Sequence, residues 1–351
     1  MSELISLVLL LTLSALLQHG IDRRYPWPLA VETLSLHIPA LALLSLLIPL
    51  LQQGNVLAHM GYLVLPLAAV VHYYLLRRHE AAMTGGQLAL QHIVITWWLL
   101  YLLCWEAYWL LTTQAALNET WGYLAWGLIP ALLALSILQL VKRVTWPFVT
   151  HAGLYSSKVI SPLFLFTWLW VIFASGKVGD PAPLPYIPIL NPLELASLLL
   201  MLVGGNWLLG LHRQGGGALI FFKPKQLAVV LAITAFVWLN TVIAHSVHYY
   251  AGVAYQPEAI FNAVAFQMAI AICWTLLALG LTYLAHRLAS RRLWIIGATL
   301  LAVVVVKLVF IDLANSGTIE RIISFISVGL LMLLIGYVAP LPPQQQKDKT
   351  V

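Results

Sequence analysis

Apolar residues in this chain neither alternate nor recur on one helical face; they run on without interruption. Such runs occur at Leu4–Leu17, Pro28–Leu51, Val56–Leu76, Leu88–Leu111, Trp121–Val141 and Val159–Ala174. After a proline-rich interval come Leu193–Leu211, Gln226–Tyr250, Ala259–His286, Leu293–Leu313 and Ile319–Val338. A helix that is apolar on every side belongs in lipid or in a deep core, and about 20 residues are needed to cross a bilayer. Hydrocarbon offers backbone groups no water to bond, so the runs predict helices. The fold class read from the pattern is an all-α integral membrane protein, a polytopic bundle of about eleven transmembrane helices. The first run is short for a span. With Glu3 ahead of it and Arg23 and Arg24 behind, it reverses the charge order of a cleavable secretory signal.

Composition agrees with lipid as the main solvent, since only 9% of the 351 residues are charged where soluble domains carry about a quarter. The net charge of +6 does not point to nucleic acid, because the basic residues are scattered as pairs between runs and form no single patch. Their placement gives topology. Arg23 and Arg24, Arg77 and Arg78, Lys142, Arg143 and Lys158, Arg213, Lys223 and Lys225, Arg287, Arg291 and Arg292, and finally Lys347 and Lys349 all follow odd-numbered runs. Fifteen of the 18 basic residues thus share one side, Lys177 and Arg321 take the other, and Lys307 lies inside a run. Because cytoplasmic connectors carry the excess of Lys and Arg, the C-terminus is expected in the cytoplasm, and the N-terminus outside if the first run spans. Cys104 and Cys273 both lie in apolar runs and read as small core residues, so neither a disulfide framework nor a zinc site is expected.

The connectors carry an internal echo. Arg23-Arg24-Tyr25-Pro26-Trp27-Pro28-Leu29 returns as Lys142-Arg143-Val144-Thr145-Trp146-Pro147-Phe148, with a weaker third copy at Arg291-Arg292-Leu293-Trp294. In each, basic residues are read as sitting among headgroup phosphates and Trp at the interface. Four runs separate the copies, so parallel four-helix repeats at 1–113, 120–250 and 259–339 are an expected subdivision of a single transmembrane domain, 1–339. The outer interval Ser175–Pro192, with five prolines, reads as a stiff extended spacer or as a lid over an outward cavity. Residues 340–351 read as a disordered cytoplasmic tail.

Ionisable groups inside apolar runs are expensive and mark functional candidates. At ~1.5 Å per residue, Lys307 lies ~21 Å and Asp312 ~28 Å from the cytoplasmic end of their helix. Glu106, Asn240, His245, His248 and Gln267 reach the same outer level, joined by Arg321 and Ser324 at the start of the last run. The expectation is an outward-facing polar cavity, with Lys307 and Asp312 each meeting a polar side chain on a neighbouring helix. His245 and His248 share a face, but no third ligand is identifiable, so no metal and no other cofactor is expected. Glu32 and His37 mark the second helix and face differently, which leaves bundle packing or a proton relay there. Glu194, at a helix start, fits a carboxylate satisfying the helix dipole.

Arg292-Leu293-Trp294, Gly297, Lys307-Leu308-Val309-Phe310-Ile311-Asp312-Leu313, Arg321-Ile322-Ile323-Ser324-Phe325 and Gly329 together form a pattern. It resembles the C-terminal region of a bacterial family of multi-pass membrane proteins, catalogued as domain of unknown function 2339. His248, Gly252-Val253, Gln267 and Trp274 are similar to the helices before it, and the resemblance is carried by roughly residues 240–338. It implies a bacterial inner-membrane protein and sets Lys307, Asp312, Arg321 and Ser324 within a recurring pattern. Because members are usually longer, the chain reads as a compact member or a C-terminal portion. It implies no activity, substrate or catalytic residue. Three functions stay open. The first is a permease-like transporter of a small or lipid-linked solute; the second is a non-catalytic component packing against a partner membrane subunit or another copy of itself. The third is an integral membrane enzyme acting on envelope lipid or glycan, with Glu106, His245, His248 or Asp312 as acid–base groups. Membrane lipid is the one partner common to all three.

Overall fold

A computed structural model describes residues 3–25, 30–52, 55–213 and 224–308, with single positions at 326, 329, 330 and 333. Among the described residues there is no strand. The chain divides into two compact units, Met1–Leu239 and Asn240–Val351. Asp312, Arg321, Ser324, the last apolar run and the tail all fall outside the described residues.

The first unit holds α1 (Glu3–Arg24), α2 (Ala30–Gln52), α3 (Gly61–His79), α4 (Gly85–Trp109), α5 (Glu119–Leu140), α6 (Ile160–Ala174), α7 (Pro192–Arg213) and the start of α8 (Pro224–Ala251). The second holds the rest of α8, the six-residue α9 (Pro257–Asn262), α10 (Val264–Arg287) and α11 (Arg291–Lys307). Among the described residues six helical stretches are long and apolar enough to cross a membrane: Glu3–Arg24, Gly85–Gln114, Glu119–Leu140, Leu154–Ala174, Ala228–Ala251 and Val264–Arg287. Two shorter apolar helices, Ser35–Pro49 and Pro192–Trp207, accompany them. The protein is therefore an all-α membrane protein with several apolar helices. Outward positions are as apolar as inward ones, Leu10, Leu36, Leu43 and Val70 each being more than 60% exposed. That is the surface lipid requires.

Lipid does not squeeze helices together, so small residues and interhelical hydrogen bonds must hold them. In the first unit a Cβ on Gly127 of α5 would lie 2.7 Å from the indole of Trp170 on α6, so only glycine admits that ring. In the second unit Gly297 of α11 lies against α10, where a Cβ would meet the Ala278 carbonyl oxygen at 3.0 Å and the Thr282 methyl at 2.8 Å.

One connector departs from the sequence expectation. Lys142–Lys158 is no plain loop. It makes an irregular turn at Thr145–Val149, with Trp146 extended ahead of Pro147 as sterics before proline require, and then a wide-turned π-helical segment at Leu154–Val159 that runs into α6. Tyr155 on that segment is 1% exposed. The proline-rich interval, read as a stiff extended spacer or a lid, is tied down at both ends. Asn118 and Trp121 at the start of α5 donate to its carbonyls at Asp180 and Ala182, over 2.7 to 3.3 Å. Asn191 donates to Gly179 O (2.8 Å) and accepts from Leu193 N (2.8 Å).

Candidate functional site

Basic helix ends are gathered within the first unit. His19 near the end of α1 meets His79 at the end of α3, Nδ1···Nε2 2.8 Å, and the Arg77 guanidinium lies 5.4 Å from the ring centre of Trp146, just after α5. The dibasic pairs that close α1, α3 and α5 thus belong to one end of the bundle, hereafter the basic end. The chain turns there from α3 into α4 through a short 3-10 segment, Glu80–Ala82. Thr84 then starts α4 with reciprocal bonds to Gln87, the capping-box solution to unpaired helix N–H groups.

From that end a column of polar rings enters the bundle. Glu80 Oε2 accepts from Trp146 Nε1 (2.9 Å) and lies 3.2 Å from His151 Nε2. The His151 and His92 rings are 4.8 Å apart between centroids, and His92 Nδ1 is 2.9 Å from the Tyr155 hydroxyl. Tyr155 in turn shares a hydrogen bond with Tyr73. Beside Tyr73 on α3 is His72, whose ring stacks on His37 of α2 at 6.0 Å with an interplanar angle of 21°. His72 and His92 are fully buried and His37 is 6% exposed. Both ring nitrogens of His37, both of His72 and Nε2 of His92 have no hydrogen-bond partner among the described residues. Leaving such an atom unmade costs about 1–3 kcal/mol, so five in one column form a concentration of unused hydrogen-bonding capacity.

Glu80, outside the membrane-spanning segments, has a resolved electrostatic state. Burial pushes its carboxyl up, but the hydrogen bonds from Trp146 and His151 and attraction to the His151 and His92 rings outweigh burial and hold it below its ordinary value. Toward the opposite end the column stops. The helices there pack Ile38, Leu41, Ile48, Leu65, Ala68 and Ile95 into an apolar core. Ser45, the buried hydroxyl in it, is committed to Leu41 O (2.8 Å) and Trp98 Nε1 (3.1 Å).

The residues singled out from sequence fall into three groups. In the second unit, the buried Lys307 donates from Nζ to the Gln267 backbone carbonyl (3.1 Å). The Gln267 side chain donates to Phe261 O, and its Oε1 is buried with no hydrogen-bond partner among the described residues. Asn240 accepts from Trp274 Nε1 at 3.0 Å. His245 and His248 both pack on Tyr255, at 4.8 and 5.8 Å between ring centres. His248 Nδ1 is 2.6 Å from Val253 O, closing the turn after α8 where Gly252 takes a positive φ of 67°. Among the described residues no three ligand-type side chains are grouped to hold a metal. In the first unit, Glu106 bonds the backbone N–H groups of Val56 and Leu57, while its Oε2 is buried with no hydrogen-bond partner among the described residues. Asp312, Arg321 and Ser324 form the third group, outside the described residues.

His72, His92, His151, Glu80 and Tyr155 were not singled out from sequence. The rule that selected Lys307, an ionisable group inside an apolar run, also selects His72 and His92; His151 and Tyr155 were hidden in a segment read as a connector.

A helical bundle with apolar outer surfaces and buried polar rings defines an integral membrane protein. The family model described as "Predicted membrane protein (DUF2339)" matches residues 1–342, and the chain belongs to that family. The match takes in the N-terminal half, which the resemblance read from sequence did not. No curated protein and no solved structure matches the chain.

Proposed function

We propose that the protein is a permease-like transporter of a small polar solute, with its working groups buried in the helix bundle. The observation that supports this is the buried Lys307 ammonium, set in an apolar helix pair where it donates to the Gln267 backbone carbonyl. An ionisable group held at that cost inside a membrane segment marks a solute or ion path by default. Asn240, His245, His248 and Gln267 belong to the same unit and are proposed to line an outward-facing polar cavity, with Asp312, Arg321 and Ser324 as further members. Glu106 is a separate candidate in the first unit. The basic end is taken as cytoplasmic by the excess of Lys and Arg, and the Trp-Pro echo is taken as the trace of parallel four-helix repeats.

The test is a strain lacking the gene, compared with its parent by untargeted profiling of solutes, lipids and glycans. A transporter predicts that one small solute shifts between cells and medium, with recovery by the wild-type gene and none by an equally abundant Lys307→Met variant. A change confined to lipid or glycan composition would replace transport with an envelope enzyme. No change in any of the three, or full recovery with Lys307→Met, would discard the site.

A further inference from the structure

We infer that His37 and His72 form a buried proton-loading site in the first unit, reached from the basic end through Glu80, His151, His92, Tyr155 and Tyr73. A proton, and not a metal or an organic solute, fits the observations. The imidazoles approach as a stacked pair with every ring nitrogen uncommitted, and no three-ligand metal group exists among the described residues. Imidazole is also the side chain whose charge changes near neutral pH. The two rings lie 6.0 Å apart between centroids, so they titrate as a coupled pair, and the first proton taken up opposes the second.

The route reaches the surface in short steps, two of which need a bridging water. A proton from bulk water lands on Glu80 or His151, at a 3.2 Å contact on the bundle end. His151 hands one to His92 between tilted rings 4.8 Å apart at their centres, and His92 Nδ1 and the Tyr155 hydroxyl exchange over 2.9 Å. Tyr155 passes one to Tyr73 through their hydrogen bond. Tyr73 to His72 and His72 to His37, at 6.3 and 6.0 Å between ring centres, are gaps that one bridging water spans. Each intermediate gives one proton and takes one. The net change is one proton removed from the bulk and one gained by the pair. The apolar core beyond Ile38 and Leu41 makes this a dead end, so the site loads and unloads at one face and does not conduct across the bundle.

Neighbouring charges on every packed element are accounted for. On α1, His19 is committed to His79, with Asp22, Arg23 and Arg24 at the helix end. On α2, Glu32 is exposed. On α3, Arg77 lies over Trp146 and Arg78 over Tyr74. On α4, Gln91 donates to Ser35 O and leaves its buried Oε1 without a hydrogen-bond partner among the described residues. After α5, Lys142, Arg143 and Lys158 are exposed. No carboxylate among these groups pairs with His37 or His72. Lys307 plays no part, so a failed transport assay leaves the proton site standing and the reverse also holds.

The test uses the full chain in lipid nanodiscs. Proton uptake after a jump from pH 8 to pH 5 is followed with an indicator dye in weak buffer. The wild type is expected to take up about one proton per chain more than the His37→Gln/His72→Gln variant. Tyr155→Phe is expected to leave the count unchanged and slow the uptake at least tenfold. Equal counts for wild type and the double variant would overturn the site, and an unslowed Tyr155→Phe would overturn the route. If the double variant does not fold, ¹⁵N-histidine solid-state NMR of the wild type in bilayers decides. A buried ring pair that gains one proton between pH 8 and pH 5 supports loading, and rings that both stay neutral over that range overturn it.

Discussion

Two buried polar groups in the first unit are treated in opposite ways. Glu194, at the start of α7, is 2% exposed, yet its Oε1 accepts from the Tyr186 hydroxyl (3.0 Å) and its Oε2 from the Ile189 N–H (2.5 Å). Its backbone carbonyl takes Trp238 Nε1 at 3.1 Å. His37 and His72 are buried as deeply, and no hydrogen bond reaches their ring nitrogens from any described residue. Burying a polar group is tolerable when its bonds are replaced and costly when they are not. The carboxylate therefore behaves as a structural rivet for the proline-rich interval. The imidazole pair costs stability and is explained by work.

The comparison breaks most readily at its satisfied end. Glu194→Ala removes two hydrogen bonds to a carboxylate, from the Tyr186 hydroxyl and the Ile189 N–H, for an expected loss of about 3 kcal/mol. Glu194→Gln keeps one acceptor and should lose less than half of that. Thermal unfolding of the purified protein in one detergent measures both, and a Glu194→Ala variant as stable as its parent would remove the contrast. Next is Asn118→Ala, which deletes the α5 N-cap bond to Thr120 N (3.0 Å) and both bonds to the proline interval. Such caps are worth about 1 kcal/mol. The loss should come with faster proteolysis between Gly179 and Ile189, a readout that a bare capping effect would not move.

Much of the bundle was legible because lipid forces long apolar runs to be helices, whatever their neighbours. What escaped was set by partners distant in sequence. The first run was short on paper because Gln18, His19 and Asp22 interrupt it, yet α1 continues to Arg24. There Gln18 bonds Thr33 and His19 meets His79, so tertiary contacts satisfy what hydropathy counts as a stop. The same blindness hid Tyr155, because Thr150, His151, Ser156, Ser157 and Lys158 make the segment polar, although its buried side holds the phenol that meets His92. Glu32 and His37 could be read as facing differently from their spacing alone, and Glu32 is exposed while His37 is buried. That His37 would find His72, and no acceptor, could not be read, because helix spacing fixes a face and not the residue across from it.

The unsatisfied end sharpens the comparison through a smaller effect of opposite sense. His72→Leu removes a ring with no bonded partner and keeps an apolar side chain of similar bulk. Its stability should stay within about 1 kcal/mol of the parent or rise above it, while proton uptake falls. A loss as large as that of Glu194→Ala would show that His72 holds the bundle together and make the two sites alike.

Glu80 stands between these extremes, half-satisfied and at the surface, and predicts the smallest effect. Its carboxyl sits below the ordinary value of 4.5 in the folded chain. A depressed carboxylate contributes stability that is fully present above the unfolded value and is lost as pH falls through the folded one. The wild type should therefore hold its melting temperature down to about pH 4.5 and lose part of it below, with the Glu80 share at most about 1 kcal/mol, given the partial exposure of the His151–Glu80 pair. Glu80→Gln should lie below the wild type near neutral pH and converge with it in acid, because the variant has nothing there to lose. Parallel melting curves from pH 6 to pH 3 would mean that the Trp146 and His151 contacts do not hold the carboxylate, and the column would then lack its charged mouth.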